Sequence, residues 1–387
     1  MRSVALFLAA SAFALALTSP GAAQNSADVI ATGEAPASQF ARFTPRPGNE
    51  AVQLDYGFWD EALQFMVLRM GPSTRDGARR PDPNLGTRRV YGHESRVRLE
   101  GNRIIYSFLE QDEIAPLRDY RLDLERLGSE LDIARLPRNE QLAYWLNLHN
   151  VAVVEQIALN YPVQQPSRMK LGPDKTPLDT TRFINVAGVM MSPRDIRTKI
   201  VFPNWSDPDV VYGFHRGEVG GPSIQRRAFT GANINELLDI AAVEFVNSLR
   251  GVESYGDNLL VSAIYEEAAP YYYPQLAEDL RQHLATHAED EVKALLAAKS
   301  GTRINQYEYT IADVAAGERE PTYNTVESDG IAQSFRVSPS IARLMVERSE
   351  KFEKLRKEGA LRGRAILLPK PTEKTEETTE TPAETAQ

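Results

Sequence analysis

Three places along this sequence bring together side chains able to move protons, hold an anion or bind a metal. Leu136 to Tyr161, reading LPRNEQLAYWLNLHNVAVVEQIALNY, sets Glu140, Asn147, His149 and Asn150 into an apolar run beside Trp145, Leu146 and Val151. A core helix normally avoids such groups, because each buried polar atom needs a partner or costs free energy. Further on, Phe214 to Ile224 places His215, Arg216 and Glu218 on a loop containing Gly220 and Gly221. Such a loop after a buried segment is a common place for ligands, and its amides can hold an anion beside an arginine. Last, His283 and His287 stand one helical turn apart, a spacing able to ligate zinc.

Each place has a plainer structural explanation. Glu140, Asn147 and Asn150 fit better as partners of loops packed over their helix than as ligand contacts. Glu140 and Asn147 lie roughly 20° apart on one face, with His149 near the opposite side, so the helix does not present one constellation. His149 reads as a packed core histidine. The glycines of the 214–224 loop equally suit a tight connection with positive φ. For His283 and His287 the glutamate of the zincin motif is absent and no third ligand is evident, so a surface pair is expected and no metal. Trp59, Tyr271, Tyr272 and Tyr273 read as core or rim aromatics.

Composition narrows the setting. With 387 residues, 42% hydrophobic and 25% charged, there is ample material for a core. A net charge of −9 without a basic block gives no reason to expect nucleic acid. The sequence has no cysteine, which excludes disulfides, iron–sulfur clusters, thiolate zinc sites and a cysteine nucleophile. No cofactor signature is evident. Arg2, the apolar run Val4 to Leu17 and the small residues Gly21 and Ala23 form a secretory signal pattern cut after Ala23. A run of that length is short for a membrane span, so a periplasmic or secreted protein without an anchor is expected.

Around these features the expected elements are mostly helical. Residues 24–50 read as a flexible linker. Helices are expected over Phe58 to Met70, Pro116 to Ala134, the central segment, and Pro274 to Ala298. One begins at Ser192-Pro193-Arg194-Asp195, and another is capped by Asn233 with Glu236 at its third position. Val97 to Phe108 and Asp207 to Phe214 read as strands, and Phe183 to Met191 as a strand or hairpin around Gly188. Ser338 to Glu358 carries Glu347–Lys351, Glu350–Lys354 and Glu353–Lys357 pairs suited to a solvated helix. The sum is an α+β fold: one predominantly helical main domain (51–315) with a small mixed sheet, a helical extension (316–368) and a disordered Thr/Glu/Pro tail (369–387).

NEQLAYWLNLHNVAVV resembles the signature of the family called domain of unknown function 547, an Asn-Glu-Lys-Leu-Ala-Phe-Trp-Ile-Asn-Leu-Tyr-Asn run, with His149 in place of the tyrosine. FINVAGVMMSPRDIRTKIV, DPDVVYGFHRGEVGGPSI and RAFTGANINELLDIAAVEFVNS are similar to its following blocks in order and spacing. The resemblance spans about Val52 to Ala315. Many members follow the Asp-Ile pair with Glu-His and carry cysteines in the later loop, a pairing suited to nucleophilic catalysis. Here those places hold Arg197 and Thr198, then Arg216, Gly217, Gly220, Gly221 and Pro222. A preserved framework without those residues implies a non-catalytic binding or scaffolding protein of the cell envelope. Its partner would be a small polar or anionic ligand, or an envelope protein. His215, Arg216, Gly220, Gly221, Asn147 and Asn150 are the candidate ligand contacts. The alternative is an envelope hydrolase or transferase using Glu140 or Glu218 as acid or base with His215.

Overall fold

A computed structural model describes residues 37–48, 52–82, 90–318, 324–326, 333–335 and 338–359. The signal segment and the Thr/Glu/Pro tail lie outside them. At the centre runs one long helix, Arg138–Leu159, buried on every side from Glu140 to Ala158. An apolar run without a polar face has nowhere to go but the middle of the molecule. Trp145 is fully buried, with Phe43 and Tyr144 packed edge-on against it.

The Gln111–Glu130 helix packs along the central one. Arg121 is buried between them and joins Glu155 to Glu125. On another side lies the Ile234–Val246 helix, which buries Leu237, Leu238, Ala241 and Phe245. Among the described residues the fold is α+β and mainly helical. Its largest sheet is small and mixed: Val252–Tyr255 pairs antiparallel with Asn258–Ser262, which pairs parallel with Gly301–Gln306. Around Gly188 (φ 81°) the expected hairpin forms from Ile184–Val186 and Val189–Met191. Directly after it, Ser192 and Asp195 close a reciprocal capping box.

Several elements differ from the sequence expectation. Asp207 to Phe214 is not a strand but a 3-10 helix, Pro208–Gly213, opened by the Asp207 carboxylate accepting from Asp209 N–H. A short apolar run buried all round has no periodicity to separate the two. Val97 to Phe108 contains only a two-residue strand, Arg103–Ile104. There Arg103 is wholly buried and donates to the carbonyls of Arg98, Glu100 and Gly101, folding the chain around its own guanidinium. Arg98 and Glu100, the charges on either side of Leu99, are buried as well.

Other corrections concern boundaries and docking. Helix Gln111–Glu130 starts earlier than Pro116 because Glu110 and Glu113 form its capping box. Asn233 makes no side-chain cap, and instead accepts from Thr230 N–H and donates to the Ala228 carbonyl. The expected Pro274 to Ala298 helix breaks into Leu276–His287 and Asp290–Ala298, with Ala288 extended between them. Within the expected linker, Ala37 to Gly48 is not free: Phe40 and Phe43 are core residues. Helix Pro339–Lys357 is docked rather than solvated. Its Glu347 pairs with buried Arg98, and Lys351 donates to the Leu99 carbonyl.

Candidate functional site

The central helix uses its polar residues on backbone. Asn147 donates to the Phe229 carbonyl at 2.7 Å and accepts from Phe229 N–H at 3.1 Å. Asn150 does the same for the next loop, donating to Gly213 at 2.9 Å and accepting from His215 N–H at 3.0 Å. Glu140 accepts from Gly231 N–H at 3.1 Å. These carboxamides and this carboxylate therefore fasten the 213–231 chain onto the helix.

His149 turns the other way, to Arg197. Arginine only donates, so His149 Nε2 accepts from Nη1 at 3.0 Å, and Nδ1–H donates to the Asn150 carboxamide oxygen. Burial, and then the Arg197 charge, push this imidazole down to about 3, so it stays neutral. Arg197 stands where the sequence departs from the Glu-His pattern. It lies on a one-turn π-helix, Ile196–Val201, just ahead of Pro203, which has no N–H to give a regular helical bond.

Arg197 is the hub of a charged cluster. It makes paired bonds of 2.8 Å to both oxygens of Asp179 and bonds of 2.8 and 2.9 Å to Glu267. Glu267 also receives Arg216 at 2.6 Å and Arg194 at 3.5 Å. Against burial, which would raise it, the Arg197 and Arg216 charges hold the Glu267 carboxyl far below the usual range. Three guanidinium groups thus share two carboxylates, leaving one positive charge in excess while the neighbouring Glu218 carboxyl is protonated. Arg216 Nε is buried without a partner among the described residues, so donor capacity remains.

Beside this cluster lies a cavity of about 190 Å³, walled by Arg216, Glu218, Asp179, Tyr307 and the apolar Val153, Leu178 and Pro166. Glu218 is buried and accepts from Ser167 N–H at 2.8 Å. Burial lifts its carboxyl to about 7, against the opposing pull of Ser167, Tyr307 and Arg216. A carboxyl with that affinity for protons in a concave, half-apolar site can hold or pass a proton at neutral pH. A larger hollow, about 770 Å³, lies by Arg42, Arg46, Glu130 and Asp132. Its Arg46–Asp132 pair is 55% and 46% exposed, which makes it a wet surface and not a site.

Of the expected site residues, the structure brings Arg216 and Glu218 to one cavity. It does not bring His215 or Glu140 with them. His215 is buried and donates Nδ1–H to the Pro222 carbonyl, while burial holds it neutral, down at about 4. Glu140 lies on the central helix thirteen residues before Val153, about 20 Å along the axis. Positive φ is needed at Gly217 (φ 79°), not at Gly220 or Gly221. Gly220 is instead a close approach, since a Cβ there would stand 2.4 Å from the Glu308 backbone nitrogen. Asp179, Glu267 and Arg197 were not singled out as site residues, because they are far apart in sequence and share no motif. The expected surface pair His283 and His287 is in fact largely buried, beside Asp209.

Residues 133–246 match the model of the family described as "Protein of unknown function, DUF547". That segment runs from just before the central helix to the end of the Ile234–Val246 helix. No curated protein and no solved structure matches the chain. No helix among the described residues is long and apolar enough to cross a membrane.

Proposed function

We propose that this is an exported, non-catalytic binding protein that takes a small anionic ligand in the cavity beside Arg216. The observation that carries the reading is the charge of the cluster behind that cavity: three arginines, of which Arg216 lines the cavity wall, against Asp179 and Glu267, with a donor of Arg216 unpartnered among the described residues. An anion there would complete the neutralisation, and the apolar wall of Val153, Leu178 and Pro166 would take its hydrocarbon part. Glu218 tunes the site. Protonated, it leaves the excess positive charge available and offers an O–H donor; ionised, it competes with the ligand. The volume suits a molecule smaller than most drug-sized ligands. The export part of the reading rests on the signal-like pattern of the first 23 residues.

The catalytic alternative keeps one support, the Glu218 carboxyl lifted to about 7. It has lost its partners, since His215 and Glu140 face elsewhere. A thermal-shift screen of small carboxylates, phosphates and sulfonates separates the readings. An anion that raises the melting temperature of the wild type but not of Arg216→Ala supports binding at this cavity. If no anion does so, or the variant responds equally, the binding proposal fails. Turnover of a bound ester or amide that stops in Glu218→Gln would instead establish the enzyme.

A further inference from the structure

Away from that cavity, helix Leu276–His287 carries His283 and His287 on one face, and the 3-10 helix Pro208–Gly213 presents Asp209 to both. We propose that Asp209, His283 and His287 form a binding site for one divalent transition-metal ion of the zinc class. One ligand atom from each residue lies within 4.8 Å of the other two. His287 Nε2 is 2.8 Å from Asp209 Oδ1, and His283 Nε2 is 3.9 Å from the same oxygen. Tetrahedral zinc with bonds of about 2.0–2.1 Å sets its donors roughly 3.3 Å apart, between those two distances. The two Asp209–histidine distances each need to change by about half an ångström to match, and the two imidazole nitrogens already lie within 4.8 Å of one another.

The surroundings support a site and not only a hydrogen-bonded pair. The other ring nitrogen of His287, Nδ1, stands 3.6 Å from the Asp239 carboxylate. A small rotation of this exposed carboxylate would let it orient a metal-bound imidazole from outside. Tyr212 stacks on His283 and Tyr273 tilts against it, giving an aromatic wall. Asp209 keeps 18% of its side chain exposed and His287 10%, so an ion has a way in. The Tyr212 hydroxyl, now 2.8 Å from His283 Nε2, has Tyr265 at 3.0 Å as its other partner when a metal takes that nitrogen. Asp209, with Asp239 behind His287, supplies negative charge that a dication neutralises once both imidazoles bind it in their neutral form. Nitrogen donors select zinc, nickel, copper or cobalt over magnesium and calcium. The ion would tie the 3-10 helix to the Leu276–His287 helix.

The test uses the tag-free full chain, stripped with a chelator and titrated calorimetrically with Zn²⁺, and with Mg²⁺ as control. One equivalent of Zn²⁺ should bind, raise the melting temperature and be ignored by Mg²⁺. His287→Ala and Asp209→Asn, partly exposed positions, should lower zinc affinity by on the order of 100-fold, since loss of an outer partner alone costs roughly 10–100-fold. Co²⁺ should give the visible absorption of a four-coordinate site in the wild type and not in either variant. His283→Ala is less informative, because that ring is packed in the core. No stoichiometric zinc in the wild type, or unchanged affinity in both folded variants, would overturn the proposal.

Discussion

Asn147 and Asn150 on the central helix, and Arg216 and Glu218 on the loop it holds, are all polar residues inside the molecule, yet they are spent differently. Each asparagine gives both ends of its carboxamide to the backbone of a packed loop. Arg216 keeps an unpartnered Nε, and Glu218 holds its proton to about 7. Polar groups that close their hydrogen bonds against backbone hold the fold together. Those left with spare capacity, at a cavity and in a cluster of unequal charge, are available to a ligand. The two sets are adjoining: Asn150 accepts from the N–H of His215, the residue before Arg216. The central helix is thus the mount and the loop the instrument.

The comparison is broken most forcefully at the mount. Trp145→Ala should cost about 3–5 kcal/mol, because it opens a cavity between Phe43, Tyr144 and the helix. Urea unfolding reads this directly. A loss under about 1 kcal/mol would mean that the helix is not the buried axis described.

Next comes the joint between the two regions. Arg197→Met leaves Asp179 and Glu267 without their shared partner and removes the donor to His149. A buried ion pair broken on one side costs about 3–5 kcal/mol, but Asp179 is 41% exposed and solvent recovers part of it. The expected loss is about 2–4 kcal/mol in the same unfolding assay, together with loss of anion binding. Retained anion binding in a folded Arg197→Met protein would separate the cluster from the cavity.

Glu218→Gln sharpens the contrast through pH. An unfolded glutamate titrates near 4.5, whereas Glu218 in the fold titrates at about 7. Below pH 4.5 both states hold the proton and burial costs nothing. Between those values only the unfolded chain gives the proton up, so stability falls as pH rises and is level above about 7. Glutamine keeps the neutral shape. The variant should match the wild type near pH 4 and exceed it by about 2–3 kcal/mol at pH 8. Equal stability at both pH values would place Glu218 in water.

Much of this was legible in the sequence and some was not, for reasons that particular residues make clear. The central helix was legible because a long, mostly apolar run with only scattered polar residues leaves no solvent face, and Ser192 with Asp195 announced a helix start. Arg216 and Glu218 were legible because they stand on a glycine-rich loop directly after a buried segment, a common place for ligands. The strand expected over Asp207 to Phe214 failed because burial on all sides erases periodicity, and Asp207 with Pro208 then favours a 3-10 turn. Arg98 and Arg103 were invisible as core residues, since a guanidinium wrapped by carbonyls leaves no pattern in sequence. Asp179, Arg197 and Glu267 meet only through tertiary folding. Asp209 reaches His283 and His287 for the same reason, and spacing along one chain could never have supplied that third ligand.

The smallest expected effect on stability falls at the residue that matters most to the proposed ligand. Arg216 contributes one of three arginine contacts to Glu267, which keeps Arg197 and Arg194 when it is removed. Its side chain is 20% exposed, so water replaces part of what the ion pair supplied. Arg216→Ala should therefore change unfolding free energy by less than about 1 kcal/mol. It also removes the excess positive charge, leaving two arginines against two carboxylates. Anion affinity should fall by roughly tenfold or more, the loss of one charge-assisted hydrogen bond of about 1.5–3 kcal/mol. Stability and affinity measured on the same preparation decide between instrument and mount. A stability loss of 2 kcal/mol or more with no change in anion binding would make Arg216 a clamp like Asn147. A stable protein that no longer binds the anion would show that the cavity's charge is kept for its ligand.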